Sequence, residues 1–298
     1  HNLVNKDSGD VPNIGANDGA HLFNISNCSY RDFRPSVELA VNLFCNASAF
    51  QNRASNEHLS WLGIQKSKKT IDQPLFKQFL NGGFTTVRNK NNFLLFRHPN
   101  FKFRPSQADA LHVDFWINNN NLLSDAGTYS YNISDEITDL YSGVKGHNTI
   151  EFDNRDQMPR YSRFLYGKWI KTVELKKIKN DGTNLHFSAT SKDYKNVLHT
   201  RDIKLSNDRL SINDRILGFQ KIAKLRWRLD SGLWKIKNNH NDLLVQAGNV
   251  KIIIKSDNKF EYNLVDSFNS KYYLNKEKIK VLEIEISKPG QILTDISW

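Results

Sequence analysis

Residues 104–163 read RPSQADALHVDFWINNNNLLSDAGTYSYNISDEITDLYSGVKGHNTIEFDNRDQMPRYSR. Apolar residues alternate with polar ones from Leu111 to Ile117, four asparagines follow at Asn118–Asn121, and a second apolar run comes next. Alternation with a period of two around a cluster of turn residues predicts a β-hairpin. Asp125 and His147 both lie where a predicted strand ends or begins, so we expect their side chains to converge.

Short apolar runs of the same kind continue to the C-terminus. From Phe84 onward, β-branched and aromatic runs alternate with turn residues at the spacing of roughly 8 to 12 residues that is typical of antiparallel sheets. The predicted strands include 92–97, 163–173, 185–190, 196–205, 209–216, 223–229, 249–255 and 278–286. Because no helix-length period interrupts them, they predict a mainly β fold, a large antiparallel sandwich of two sheets.

Helical periodicity is confined to the first part of the chain. Apolar residues recur at helical spacing from Arg34 to Phe44, with proline in the first turn, which predicts an amphipathic helix. Shorter helical pieces are predicted at His58 to Leu62 and at Pro74 to Leu80. We therefore divide the chain into a loop-and-helix region, residues 1–81, and a β-domain, residues 82–298.

The length and composition of the chain limit the class of protein to which it can belong. The chain has 298 residues, of which 39% are hydrophobic and 11% aromatic, enough for a packed core. No apolar run reaches the roughly 18 residues of a membrane span. The chain begins at His1 in loop-like sequence, which indicates a processed product or a fragment of a longer protein.

The formal net charge of +11 favours polyanionic partners, because a positive field concentrates anions near the protein. The cations are spread along the chain, and no nucleic-acid-binding signature accompanies them, so we expect an acidic polysaccharide and no nucleic acid. Arg226 and Arg228 flank Trp227 in an alternating run, and we expect both to contribute to a basic surface.

Three motifs within residues 104–163 resemble the heparinase II/III-like family of polysaccharide lyases. The C-terminal β-domain of that family carries patterns similar to HADxLxxxxW, DxGTYxY and AHNT, and the corresponding residues here are Gln107, Asp125 and His147. RPSQADALHVDFW and HNTIEFDNRDQMPR are most similar to members found among bacterial capsule and O-antigen genes. GANDGAHLF and YRDFRPSVELAVNLF resemble the end of the α/α-toroid domain that precedes the β-domain, so residues 1–81 would be a short helical remnant of that toroid.

This resemblance implies an activity. Lyases of the family cleave uronic-acid-containing polysaccharides by β-elimination, and the chain alone would be incomplete without an upstream toroid domain. The competing class of protein is a non-catalytic carbohydrate-binding or scaffolding β-domain. A periplasmic or cell-envelope location is favoured over a cytoplasmic one.

The resemblance also implies a metal site. Family members hold a divalent metal, usually zinc, with the residues that correspond to Gln107, Asp125 and His147. A neutral amide oxygen suits calcium or magnesium better than zinc, so Gln107 weakens the case for zinc. His112 could substitute, although its position alone is that of a strand residue. We expect Asp125 and His147 to meet beside Gln107, with zinc weakly held or absent.

β-Elimination needs a group that neutralises a carboxylate, a base and an acid. The resemblance implies that most of these groups come from the toroid. The catalytic candidates retained by this chain are Tyr129, Tyr131, Tyr141 and His147. The candidates for substrate binding are Lys145, Asn148, Arg155 and Arg160. From the residues alone, such tyrosines fit a core equally well, and the loop with Arg155 and Arg160 fits a structural salt-bridge loop.

Overall fold

Two antiparallel sheets dominate the structure, a computed structural model that describes residues 1–21, 25–51, 54–239 and 242–298. The strands are β1 Phe76–Phe79, β2 Phe84–Asn89, β3 Asn92–Arg97, β4 Val113–Ile117, β5 Asn120–Leu123, β6 Ile150–Phe152, β7 Arg160–Ser162, β8 Leu165–Tyr166, β9 Lys171–Asn180, β10 Leu185–Lys192, β11 Leu198–Leu205, β12 Arg209–Leu217, β13 Ala223–Leu229, β14 Lys235–Asn239, β15 Asp242–Ala247, β16 Val250–Ser256, β17 Phe260–Asn269, β18 Glu277–Ile286 and β19 Gly290–Ser297. The helices are α1 Arg34–Cys45, α2 Glu57–Trp61 and α3 Asp135–Ser142, and 3-10 turns lie at Ala54–Asn56 and Val144–Gly146.

The strands are divided between two sheets, and each sheet takes strands from several parts of the chain. The first sheet has the order β1-β2-β3-β4-β5-β13-β18-β17, and β6 also pairs with β13. The second sheet has the order β14-β15-β16-β19-β12-β11-β10-β9, while β7 and β8 form a separate hairpin. The predicted mainly β, antiparallel fold is confirmed.

Alternation along the strands fills one apolar core between the sheets. On β11 and β12, the cross-strand partners Ile203 and Ile212 are fully buried, whereas the next pair, Asp202 and Asn213, faces outward. Trp227 on β13 is fully buried, and its Nε1 donates to Thr294 Oγ1 of β19 at 3.2 Å. A first-sheet side chain therefore reaches a second-sheet strand through the core.

The predicted helix at Arg34 to Phe44 is confirmed as α1, and the piece at His58 to Leu62 is confirmed as α2. The predicted helical piece at Pro74 to Leu80 is wrong, because Phe76–Phe79 forms β1 and pairs with β2. Gly83 has φ +65° and lies so close to Pro99 and Asn100 that a Cβ would approach their backbone to 2.8 Å. Glycine there permits the tight turn that folds β1 back onto β2.

The predicted strand at 163–173 is also wrong. β8 ends at Tyr166 and β9 begins at Lys171, with Lys168 between them at φ +46°. A left-handed residue interrupts a strand, so this apolar run is split between two sheets. The division of the chain into two domains at residues 81 and 82 stays a prediction. Within the described residues, the helices are too short or too polar to span a membrane.

Candidate functional site: a buried Asp–His pair beside a tyrosine-lined cavity

Asp125 and His147 come together because their loops leave the same edge of one strand. β5 and β6 pair with β13 one after the other, through Leu123 with Leu229 and Ile150 with Leu225. Asp125 follows β5 and His147 precedes β6, and His147 Nδ1 lies 2.9 Å from Asp125 Oδ2. The expectation that these two side chains converge is confirmed.

This pair is shielded from water. His147 is 0% exposed and Asp125 2%. Burial disfavours the imidazolium, but the Asp125 carboxylate outweighs it, so the pKa of His147 is raised above its ordinary value. Asp125 Oδ1 also accepts the Gly127 N–H at 2.7 Å. Gly127 has φ +79° and a Cβ there would clash with Ser270 O, so this turn requires glycine.

His112 is the third member of the cluster. Its ring lies edge-on to His147, with centroids 5.5 Å apart. One potential ligand atom from each of His112, Asp125 and His147 lies within 4.8 Å of the others, so the cluster could hold a metal ion. Leu111, the residue before His112, has φ +58°, a conformation unfavourable for leucine. The position of His112 depends on this backbone conformation.

The hydrogen bonds of the cluster do not fit the closed zinc site implied by the resemblance. His112 Nδ1 accepts the Asn148 N–H at 2.9 Å, so a neutral ring carries its proton on Nε2 and has no lone pair left for a metal. Gln107 Oε1 accepts the Gly15 N–H at 3.0 Å. Within the cluster of His112, Asp125 and His147, this leaves Asp125 and His147 Nε2 as ligand atoms, and His147 Nε2 is buried without a hydrogen-bond partner. A structural zinc site normally has four protein ligands.

Arg201 supports the cluster from the opposite sheet and was not among the sequence-based candidates. It is fully buried on β11 and forms two hydrogen bonds to Asp214, from Nε at 2.7 Å and Nη2 at 2.9 Å. Its Nη1 donates to Leu111 O at 2.7 Å and to Asn148 O at 2.6 Å. These carbonyls adjoin His112 and His147 in sequence, so one guanidinium fixes the backbone beside both imidazoles.

The expected basic surface at Arg226 and Arg228 is wrong, because both residues are buried. Arg226 pairs with Glu151 at 2.7 Å and with Glu283 at 2.8 Å. Arg228 donates to Lys145 O at 3.1 Å and to Phe268 O at 2.6 Å. β13 is a central strand, and the side chains of both arginines find their partners on β6, β17, β18 and the Val144–Gly146 turn.

Asn148 also serves the backbone. Its side chain is 0% exposed, with Nδ2 donating to Val113 O at 2.9 Å and to Ser124 O at 3.1 Å. Its Oδ1 accepts the Arg228 N–H at 2.6 Å. These bonds join the loop at His147 to β4, β5 and β13, and the predicted role of Asn148 in substrate binding stays a prediction.

Two of the three candidate tyrosines, Tyr131 and Tyr141, line a cavity, and the third, Tyr129, stacks on Tyr141. Tyr129 and Tyr141 stack with ring centroids 5.7 Å apart, and Lys276 Nζ lies 4.2 Å from the Tyr129 ring. Burial raises the pKa of Tyr141 to about 12 and also raises the pKa of Tyr131. Both phenols are therefore protonated at neutral pH, the state that a proton donor needs. A cavity of about 30 Å³ is lined by Tyr131, Tyr141, Gln107 and Gly127, among others.

The cationic candidates lie in different environments. Lys145 is exposed. Arg155 pairs with Asp193 at 2.6 Å, just beyond β10 of the second sheet. Arg160 pairs with Asp139 at 2.8 Å and so ties the β7–β8 hairpin to α3. The two arginines thus make the ion pairs of a structural salt-bridge loop, and their predicted roles in substrate binding stay predictions.

Known proteins share this fold. The model of the heparinase II/III-like C-terminal domain matches residues 72–298. A heparin-sulfate lyase of Bacteroides stercoris is 24% identical over 199 residues, which are 63% of this chain and 28% of that protein. A solved heparinase III with methylated lysines and a heparan sulfate lyase from Pedobacter heparinus both superpose with a TM-score of 0.72 at 17% identity.

Each superposition covers 99% of this chain but only 44% and 45% of the two solved chains. The chain therefore spans less than half of these proteins. At such low identity the superpositions show a common fold.

Proposed function

Since the chain belongs to the heparinase II/III-like family, through that family's C-terminal domain over residues 72–298, we propose that it forms one wall of the cleft of a polysaccharide lyase. The observation that carries this proposal is the buried Asp125–His147 pair beside a cavity lined by Tyr131 and Tyr141. The proposed substrate is an acidic, uronic-acid-containing bacterial surface polysaccharide. The net charge of +11 supports an anionic substrate.

In the proposed reaction, a base from the upstream toroid domain takes the proton on C5 of the uronate, the bond from C4 to the leaving oxygen breaks, and a double bond forms between C4 and C5. The leaving oxygen must take up a proton. Tyr131 is half-buried at the cavity and its phenol is protonated, so it is placed to donate that proton. His147 is fully buried and bonded to Asp125, so its part is to hold the loop that leads to Tyr131.

An upstream toroid domain would supply the remaining wall and the group that neutralises the uronate carboxylate. The Asp125–His147–His112 cluster then keeps the floor of the cleft in place through hydrogen bonds, with zinc weakly held or absent. His112 uses its single lone pair to accept the Asn148 N–H, and the neutral amide oxygen of Gln107 already accepts the Gly15 N–H; both observations support this part of the proposal.

The test uses the protein at its full encoded length with a panel of acidic polysaccharides. Elimination creates a double bond conjugated to a carboxylate, and its ultraviolet absorbance reports product. Tyr131→Phe should abolish or strongly reduce that signal, whereas Tyr161→Phe, at an exposed tyrosine of the β7–β8 hairpin, should leave it unchanged. No unsaturated product from any polysaccharide in the panel would refute the lyase activity and favour a non-catalytic carbohydrate-binding domain.

A further inference from the structure

A row of aromatic rings lies beside the tyrosine-lined cavity, mostly outside the three motifs. We call Phe164, Tyr131, Tyr273, Tyr272 and Tyr30 the aromatic wall. The Tyr131 ring contacts Phe164 and Tyr273 at centroid distances of 5.2 and 5.7 Å, and Tyr272 contacts Tyr30 at 6.0 Å. The rings form two groups in contact, Phe164 with Tyr131 and Tyr273, and Tyr272 with Tyr30, and their planes are tilted or nearly perpendicular.

Hydrogen bonds fix the aromatic wall to the loop that carries Asp125. Ser270 N donates to Ala126 O at 2.7 Å, and Leu274 N donates to Tyr129 O at 2.7 Å. The Tyr273 hydroxyl accepts the Tyr131 N–H at 2.9 Å. The loop after β17 is thereby held against the loop after β5, and the rings need little ordering when a ligand binds.

The β7–β8 hairpin supplies the other end of the wall. Its turn carries Arg163 and Phe164, and both line the same cavity as Tyr131. Arg160 fixes the hairpin to α3 through Asp139. Phe164 remains 45% exposed although it contacts Tyr131. The β7–β8 hairpin, fixed to α3, thus holds the partly exposed Phe164 ring at the edge of the site.

Cations accompany these rings. Arg163 is exposed and donates to the neutral Asn132 Oδ1 at 3.0 Å, and no ion pair engages it among the described residues. Lys276 lies over Tyr129. Asp18 lies near Tyr131, and its Oδ1 accepts the Ala20 N–H at 2.8 Å. The guanidinium of Arg163 is therefore available to an anionic ligand.

We propose that the aromatic wall is a binding subsite for one residue of an acidic glycan. The C–H face of a pyranose ring would stack on Phe164, and the carboxylate or sulfate of that sugar would bind Arg163, whose planar fork matches such oxyanions. The Tyr273 hydroxyl and the Arg163 guanidinium beside these rings suit a polar, anionic sugar better than an apolar protein segment. The subsite rests on the proposed function for the glycan class, and it adds residues that lie beyond the family motifs.

Titration calorimetry of the 298-residue chain tests the subsite with two probes, a heparan sulfate tetrasaccharide and an unsulfated polygalacturonate tetrasaccharide. Phe164→Ala should weaken binding by about three- to tenfold, the range expected for loss of one stacked ring. Arg163→Gln should weaken it by about tenfold at low salt and reduce its salt dependence. The matched control is Phe44→Ala on α1, where the ring is 84% exposed, and it should bind like the unmodified chain.

The outcomes separate the subsite from the proposed function. Unchanged binding by both Phe164→Ala and Arg163→Gln would overturn the subsite and leave the proposed lyase untouched. Binding of neither tetrasaccharide by the unmodified chain would overturn the subsite, whereas the proposed lyase is decided by the assay of the protein at its full encoded length. Tyr272→Ala, at a ring 36% exposed, gives a second variant on the far side of the wall, and unchanged thermal unfolding of each variant shows that it is folded.

Discussion

Replacing Arg201 by methionine removes the guanidinium that joins the second sheet to the site. Arg201 and Asp214 are cross-strand partners on β11 and β12, and both are 0% exposed. Without the cation, Asp214 is left with only His199, whose Nε2 lies 2.6 Å away, and the carbonyls of Leu111 and Asn148 lose a donor. Breaking a buried ion pair by removing one partner typically costs about 3–5 kcal/mol, and we expect Arg201→Met to lower the free energy of unfolding by that amount.

The same two strands provide the control. Arg215 lies on the outer face of β12, with Nη2 2.7 Å from Asp202 Oδ2 and a side chain 44% exposed. An exposed pair contributes about 0–1 kcal/mol, so Arg215→Met should change the free energy of unfolding little. Urea unfolding of both variants at about pH 8, where an ordinary histidine is neutral, gives the two values on one scale. A loss below about 1 kcal/mol for Arg201→Met would refute the reasoning, since a buried carboxylate without its guanidinium must be costly.

The local consequence can be measured separately. Because Arg201 holds the carbonyls beside both imidazoles, its loss should loosen the bond from the Asn148 N–H to His112 Nδ1. Hydrogen exchange at the Asn148 amide should then be faster in Arg201→Met than in Arg215→Met. Equal exchange in the two variants would show that Arg201 stabilises the sandwich without positioning the site.

Four further outcomes are expected. Gln107→His should raise zinc affinity, because it restores an imidazole to the ligand set; elemental analysis that finds a full equivalent of zinc in the unmodified protein would contradict the reasoning. Binding of acidic polysaccharide should weaken steeply as the salt concentration rises, since exposed charges are screened over about 8 Å at physiological ionic strength. An affinity that does not change with salt would exclude the cationic residues as the source of binding. The 298-residue chain alone should give no unsaturated product, because the remaining catalytic groups are proposed to lie upstream. Measurable product would show that the tyrosines and His147 of this chain supply those groups. Burial lowers the pKa of His98 from 6.5 to about 4, so the contribution of His98 to stability is present above pH 6.5 and is lost as the pH falls towards about 4. His98→Gln should therefore flatten that part of the pH–stability curve, and an unchanged slope would contradict this role of His98.

Much of the fold was predictable because burial alternates so regularly. On β12 the buried positions are Leu210, Ile212, Asp214 and Ile216, and the pattern is visible in the sequence. Where the prediction failed, one residue's backbone conformation was responsible. Gly83 at φ +65° folds β1 back onto β2, and Lys168 at φ +46° separates β8 from β9. Neither angle can be derived from apolar periodicity, which records only the side a residue faces.

The site was predictable to a different extent for each residue. Asp125 and His147 were found through the family motifs and their positions at strand ends. The place of His112 depends on Leu111 at φ +58°, which no sequence pattern indicates. Arg201 and Asp214, by contrast, occupy inward-facing positions of alternating strands, and charges at such positions must be paired. That signal was present in the sequence and identifies the network under the site.

The hydrogen-bonded state of the cluster also determines how zinc would bind to Gln107→His. His147 carries a proton on Nδ1 that Asp125 accepts, and burial together with the charges of His147 and Arg201 holds the pKa of His112 well below its ordinary value. Zinc can bind His147 through Nε2 while the Nδ1 proton stays on the bond to Asp125, but the imidazole introduced at position 107 must lose its second proton before it can bind zinc. Metal binding that releases a proton strengthens as pH rises. Zinc affinity of Gln107→His should then increase with pH near neutrality, and an affinity independent of pH would show that the introduced imidazole is not a zinc ligand.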